Sequence, residues 1–401
     1  MKSLNHAVLQ TPPSGIRRFF DVASQMPDAI SLGVGEPDFV TPWRIREAGI
    51  DAIERGYTTY TSNAGLMELR EAVACDLESR YGVSFDPSAE ILITVGVSEG
   101  LDLALRALVN PGDEVIHFEP GYVSYVPGIR FVGGAPVAVR TSADDGFRIR
   151  PEALAAAVTP RTKAILLAYP NNPTGGTLSR DDVAAVVRLA VEHDLYLVTD
   201  EIYSRLTYGG EHTCAASVPG ARERTVVLNG FSKAYAMTGW RVGYVCAPPP
   251  VAESILKLHQ YTMLCAPHMS QKAAVEALRH GEAEVRRMVS EYDRRRRFFV
   301  RGLNAIGLAC HEPLGAFYAF PSIRSTGLSS EEFSTRLLHE ARVAVVPGNA
   351  FGETGEGHVR CSYATSMPKL EQALDRMARF VQTLSRPGHT TGEERALAAH
   401  V

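Results

Sequence analysis

Between residues 90 and 247, short apolar runs rich in β-branched side chains recur along the chain, and stretches with helical spacing lie between them. The runs are ILITV at 91–95, EVIHF at 114–118, PVAVR at 135–139, KAILLAY at 163–169, LYLVTD at 195–200, TVVLN at 225–229 and VGYVCA at 242–247. This alternation predicts an α/β large domain with a mostly parallel seven-stranded sheet flanked by helices. Near-continuous apolar strands such as AILLA predict burial on both faces, because burial on one face alone would leave alternate positions polar. Ser179 opens a helix as Ser-Arg-Asp-Asp, a capping-box-like start. Its buried stripe is Val183, Val186, Val187 and Ala190, and its end lies near His193.

After residue 250 the pattern becomes helical, with a long segment from about Glu282 to Leu303. Shorter elements then return: AFYAF at 316–320, a helix near 330–341, VAVV at 343–346, HVRCSY at 358–363 and a last helix at 368–384. The predicted organisation is an N-terminal arm and small-domain segment at 1–40, a large domain at 41–285, a smaller α+β domain at 286–386 and a disordered tail at 387–401. Pro12, Pro13, Gly15, Gly33, Gly35 and Pro37 give the first forty residues the character of loops crossing the surface, as an interface arm does. Arg294 to Arg297 form a four-arginine run. Glu291 and Asp293, four residues before Arg295 and Arg297, make it a solvated helix face laced by ion pairs rather than a nucleic-acid patch.

Composition narrows the function classes. The chain has 401 residues, 45% hydrophobic and 21% charged, with a formal net charge of −4. That length suits two or three domains, and the near-neutral balance gives no footprint for nucleic acid. No apolar run is long enough to span a membrane and the start lacks a signal-peptide core, so a cytoplasmic protein is expected. The six cysteines stand singly, without the paired spacing of a metal knuckle, and the histidines show no ligand spacing, so no metal is expected. Only six lysines accompany thirty-five arginines, which makes a lysine in a glycine-flanked polar segment informative.

Lys233 is such a lysine. It lies in FSKAYAMTGWRVGY just after the strand TVVLN, where an amine held in a cleft forms a Schiff base with a carbonyl; a surface lysine on a turn is the competing reading. Asp200 ends the strand LYLVTD at the sheet edge where open α/β folds place ligands. It suits either a helix cap or a carboxylate that keeps a pyridinium nitrogen protonated. Tyr203 follows three residues on. KAILLAY runs into PNNPTGG, with Asn172 pinned between an asparagine and a proline. ILITV leads into Gly96, Val97 and Ser98 at a helix start, where backbone amides hold anions.

Together these segments resemble the pyridoxal-phosphate-dependent aminotransferases of fold type I, class I/II, closest to the aspartate/aromatic subgroup. The resemblance spans about residues 14–385. It rests on GEPDF at 35–39, YTSNAGLMELREAV at 60–73, PGYVSY at 120–125, NNPTG at 171–175, TDEIY at 199–203, GFSKAYAMTGWRVG at 230–243 and PGNAFGETGEGHVRCSY at 347–363. It implies pyridoxal 5'-phosphate as cofactor, with Lys233 as covalent anchor and as the acid/base that moves the substrate Cα proton. It implies Asp200 on the pyridine nitrogen, Asn172 and Tyr203 on the ring oxygen, and Tyr122 stacked on the ring, although Tyr122 also suits simple core packing. The phosphate falls to Gly96, Val97, Ser98, Ser232, Arg241 and Tyr60. In relatives the equivalent tyrosine comes from the second subunit, so a homodimer with shared sites is implied. Arg360 resembles the arginine that clamps the substrate α-carboxylate, with Asn172 beside it and Gly35 leaving room.

The implied reaction is ping-pong transfer of an amino group from an L-amino acid to 2-oxoglutarate. Where one acidic-substrate branch carries a lysine for the distal carboxylate, this chain has Ser98. The patterns SGIRRFFDVA, YDRRRR and EARVAVVPGNAFG are similar to those of broad aromatic enzymes, which favours an aromatic donor. Ile16, Tyr261 and Phe351 are candidates for an apolar mouth, and Arg17 is a candidate charge for acidic substrates. Aspartate or an N-acyl-diaminopimelate remain alternative donors, and a carbon–sulfur β-lyase is the alternative reaction on the same scaffold.

Overall fold

The computed structural model describes residues 2–13, 15–16, 26 and 28–384. Most of SGIRRFFDVA, Arg17 included, and the tail at 387–401 lie outside the described residues. After a two-residue strand β1 (Ile30–Ser31), the seven apolar runs become β2 (Ile91–Thr94), β3 (Glu114–Glu119), β4 (Ala135–Arg140), β5 (Thr162–Ala168), β6 (Tyr196–Asp200), β7 (Thr225–Gly230) and β8 (Gly243–Cys246). They form one sheet in the order β2-β8-β7-β6-β5-β3-β4. Only β8 runs against the rest, pairing antiparallel with both β2 and β7.

The central strands are buried on both faces by alternate side chains. On β5, Ala164 and Leu166 pack with Leu101, Leu105 and Ile255, while Ile165 and Leu167 pack with Val183, Val186 and Val187 on the other face. Those three valines belong to helix Arg180–Glu192, whose N-terminus is a complete capping box. The Ser179 hydroxyl accepts from the Asp182 amide, and Asp182 reaches back to the Ser179 amide. Burial of a valine or leucine stabilises by about 1.5–3 kcal/mol, so the apolar periodicity decides which face turns inward.

The N-terminal segment does more than cross the surface: its end enters the core beside the C-terminal strands. β1 pairs in parallel with β10 (Val343–Ala344), and Ile30 and Leu32 are buried in the core. The VAVV run also splits: its last residue opens β11 (Val346–Pro347), which joins β12 (Val359–Ser362) and β9 (Tyr318–Ala319) in a separate antiparallel sheet. Helices Glu282–Ala305, Ser330–Ala341 and Met367–Leu384 accompany these strands. No helix among the described residues is long and apolar enough to cross a membrane. All six cysteines are free thiols.

The four-arginine run is only half a solvated face. Arg294 and Arg297 are exposed and pair with Glu291 and Asp293 as expected. Arg295 and Arg296 are buried, with side chains 7% and 6% exposed. Arg295 donates to both oxygens of Asp38, in the GEPDF segment, at 2.8 and 2.9 Å. Arg296 reaches Glu312 and the Pro313 carbonyl at 2.5 and 3.2 Å. Breaking a buried pair leaves the partner charge stranded. Arg295→Ala should therefore lower the unfolding free energy by about 2–4 kcal/mol in a denaturant titration, against less than about 0.5 kcal/mol for Arg294→Ala. Equal effects at the two positions would contradict this division.

Candidate active site

The C-terminal ends of β5, β6 and β7 deliver the chemistry to one edge of the sheet. Beyond β5, Asn171 builds its turn: its side-chain oxygen accepts from the Thr174 amide at 3.2 Å and from the Thr174 hydroxyl at 2.9 Å. That leaves Asn172 to face the cleft, where its Oδ1 accepts from Arg360 Nη1 at 2.9 Å. Arg360, on β12, is 2% exposed. It also donates from Nη2 to the Gly33 carbonyl at 2.6 Å. The guanidinium lies 4.4 Å from the Tyr318 ring centroid and 5.0 Å from that of Phe351, while its Nε is buried without a partner among the described residues.

Asp200 ends β6. Its Oδ2 accepts from the Tyr125 hydroxyl at 2.9 Å and its Oδ1 from the Ile202 amide at 3.2 Å. Burial outweighs these bonds and pushes the carboxyl up to about 6, so this position gains from a buried cation. Tyr203 is also buried, its hydroxyl 2.8 Å from that of Tyr318. Beyond β7, Lys233 donates from Nζ to the Gly35 carbonyl at 2.6 Å. Burial pushes the amine down to about 8, with Glu36 the main opposing influence and Arg360 adding to the depression. An amine tuned this way is available in its neutral, nucleophilic form close to neutral pH. A Cβ on Gly35 would stand 2.8 Å from the Tyr318 hydroxyl, so this backbone approach requires glycine.

Of the remaining predicted residues, Gly96 and Arg241 meet at the start of helix Val97–Leu108. Gly96 is its N-cap, with φ 77° and no side chain to offer, and a Cβ there would sit 2.5 Å from Arg241 Nη2. Arg241 itself holds a positive φ of 50°. Ser232 is 8% exposed. Tyr122 is half-buried, its ring centroid 5.5 Å from that of Tyr125. Tyr60, at 79% exposed, projects outward. Of the mouth candidates, Phe351 and Ile16 share an apolar cluster with Phe147, Phe320 and Val123, whereas Tyr261 is 89% exposed and stands outside it. Among the described residues no group of three or more His, Cys, Asp or Glu side chains is gathered to hold a metal ion.

Tyr125 and Tyr318 join the site without having been among the residues expected from the sequence. Tyr125 carries a readable signal, since it lies three residues after Tyr122 in PGYVSY and Asp200 needs a donor. Tyr318 has none, because its meeting with Tyr203 depends on how β9 packs over the cleft. The assembled edge fits pyridoxal phosphate: an amine, a buried carboxylate at the depth of the cleft, and a guanidinium against a side-chain-free helix N-terminus for a dianionic phosphate.

An α/β fold with this edge defines a cofactor-dependent enzyme acting on carboxylated amines, and comparison with known proteins agrees. Residues 27–377 match the family model described as aminotransferase class I and II. The Bacillus subtilis protein YugH, named as an aminotransferase, is 53% identical over 94% of this chain and 98% of its own. An aspartate aminotransferase of Pyrococcus abyssi is 46% identical over 92% of this chain and 96% of its own. The crystal structure of an aromatic aminotransferase from Pyrococcus horikoshii superposes with a TM-score of 0.87 at 44% identity, covering 91% of this chain and 99% of that one. The chain belongs to the class I and II aminotransferases and is a pyridoxal-phosphate-dependent transaminase.

Proposed function

We propose that the enzyme transfers the α-amino group of an aromatic L-amino acid to 2-oxoglutarate by a ping-pong cycle. The carrying observation is the apolar cluster beside the carboxylate clamp, with Phe351 5.0 Å from Arg360 and packed with Phe320, Val123 and Ile16. An amino acid whose carboxylate meets Arg360 and Asn172 then has an apolar wall nearby for its side chain. Donors accepted by the relatives, aspartate and aromatic by name, leave the side chain to this wall rather than to the family motifs.

When bound, the cofactor supplies a protonated pyridine ring that withdraws the electrons left at Cα by deprotonation. Lys233 Nζ would hold the cofactor covalently through its carbonyl carbon and, as a free amine, would take the proton from the substrate Cα and return it to that cofactor carbon. Asp200, steadied by Tyr125, holds the ring nitrogen protonated. Asn172 and Tyr203 donate to the ring oxygen, and Tyr122 covers a ring face. Gly96, Val97, Ser98, Ser232 and Arg241 hold the phosphate. Arg360 grips the α-carboxylate with its planar fork, which a lysine would not reproduce. The exposure of Tyr60 supports a homodimer in which each Tyr60 completes the other subunit's phosphate site. We also assign residues 41–285 to the cofactor-binding domain, residues 286–386 with the arm to the smaller one, and the working compartment to the cytoplasm.

The test is a half-reaction panel in which holoenzyme without acceptor is mixed with phenylalanine, tyrosine, aspartate, alanine and an N-acyl-diaminopimelate. The cofactor spectrum is followed as the amino group transfers. Phenylalanine and tyrosine are expected to convert the enzyme at least about tenfold faster than aspartate, the scale of one well-matched apolar contact. Conversion by aspartate alone would overturn the aromatic assignment, and pyruvate, ammonia and a thiol released without acceptor from an added cysteine thioether would indicate β-elimination.

A further inference from the structure

A buried pair lies directly behind the proposed phosphate site. In a capping box the N-cap side chain accepts a first-turn amide, while the acid three residues on reaches back to the chain before the helix. Gly96 has no side chain and its own amide donates to the Thr94 carbonyl at 2.8 Å, so the acid at this position reaches one residue further back. Glu99 folds back, and its Oε2 accepts from the Val95 amide at 2.5 Å. Its Oε1 lies 2.7 Å from Nδ1 of His259, on helix Pro249–Thr262. The two side chains are 8% and 0% exposed, and the other ring nitrogen of His259, Nε2, is buried with no hydrogen-bond partner among the described residues. His259 thus spends its polar contact on Glu99. The first-turn amides of Val97 and Ser98 have no protein acceptor among the described residues.

A carboxylate in the first turn of a helix is drawn to those same amides, and there it would compete with a phosphate and repel it. We propose that Glu99 and His259 are positioning residues for the cofactor's phosphate. His259 holds the carboxylate turned back onto Val95. That contact fixes the chain on the N-terminal side of Gly96 in its left-handed conformation, so the Val97 and Ser98 amides and the Arg241 guanidinium face one point. The inference rests on the assignment of Gly96 to Ser98 and Arg241 as the phosphate site. It adds a device that anchors the chain before Gly96 and keeps the site's own acid out of it: Glu99→Ala loses the anchor, and His259→Leu also frees the acid to compete.

The experiment compares dissociation constants for pyridoxal phosphate and for pyridoxal, which lacks the phosphate, in the full-length enzyme. Losing a charge-assisted positioning bond should weaken pyridoxal phosphate about 10- to 100-fold in Glu99→Ala and His259→Leu, with pyridoxal affected less than about twofold. His259→Gln, which keeps a donor for Glu99, is expected to stay within about threefold of the parent. The Glu99→Ala/His259→Leu double variant should bind no more weakly than the worse single variant, because the two residues act as one unit. Equal losses for both ligands, or no loss, would overturn the proposal. Should Glu99→Ala not fold, His259→Leu against His259→Gln decides the same point. Arg241→Ala serves as the separate control: if it leaves the preference for the phosphorylated ligand intact, the phosphate assignment itself fails, whatever Glu99 does.

Discussion

Replacing Lys233 with alanine is expected to remove the visible absorbance of the lysine-bound cofactor and to reduce turnover by at least about 10,000-fold, since covalent anchoring and proton transfer are lost together. Cofactor binding should persist in weakened form, because Asp200, Arg241 and the amides at the start of helix Val97–Leu108 are untouched. Lys233→Arg should be nearly as inactive. A guanidinium keeps the charge near Asp200, but it neither forms the covalent bond nor exchanges a proton near neutral pH. The loss would come from chemistry rather than from folding: among the described residues the Lys233 side chain makes one hydrogen bond, to the Gly35 carbonyl, and its burial already penalises the charged amine. Thermal stability of the alanine variant without cofactor should therefore stay at or above that of the parent. Ordinary turnover by Lys233→Ala, measured with saturating cofactor, would remove the basis for its role.

The second large effect belongs to Arg360. Arg360→Leu removes the guanidinium and leaves Asn172 Oδ1 and the Gly33 carbonyl without the donors they have now. Truncating a buried charge that grips a carboxylate costs about 2–5 kcal/mol. The value of kcat/KM should fall by about 30- to 5,000-fold, and by a similar factor for every donor, because the α-carboxylate is common to all of them. Arg360→Lys should recover only part of the loss, since an ammonium offers no planar fork. A defect confined to one class of donor, measured across the same amino acids, would move Arg360 from the common clamp to side-chain selection.

The fold was largely legible because its signals are local. Each strand of the large sheet is a continuous apolar run, and the Ser179 capping box carries its own punctuation. The small-domain strands were less legible. VAVV divides between two sheets because Val343–Ala344 finds β1 while Val346–Pro347 finds β12, a choice made by partners more than 300 residues and 12 residues away respectively. Arg295 misled for the same reason. Its helix spacing to Glu291 is real, but Asp38, from the far end of the chain, draws it inward. At the site, Lys233, Asp200 and Asn172 stand out because polar groups at the ends of apolar strands demand partners, whereas Arg360, inside β12, stands out only through the family resemblance of HVRCSY. Tyr318 and the Glu99–His259 pair answer such demands from elements whose approach no local pattern encodes. The donor's side chain is the least legible part, for the wall proposed to receive it is assembled from Ile16, Val123 and Phe351, which look like ordinary core residues in the sequence.

The most direct test of the site is to treat the holoenzyme with borohydride, which makes a lysine–cofactor bond permanent, digest it, and locate the pyridoxyl group by mass spectrometry. One modified lysine per chain is expected, Lys233, in the peptide containing FSKAYAMTGW, with labelling abolished by prior addition of a good amino donor. A pyridoxyl group on any of the other five lysines, with Lys233 unmodified, would contradict it.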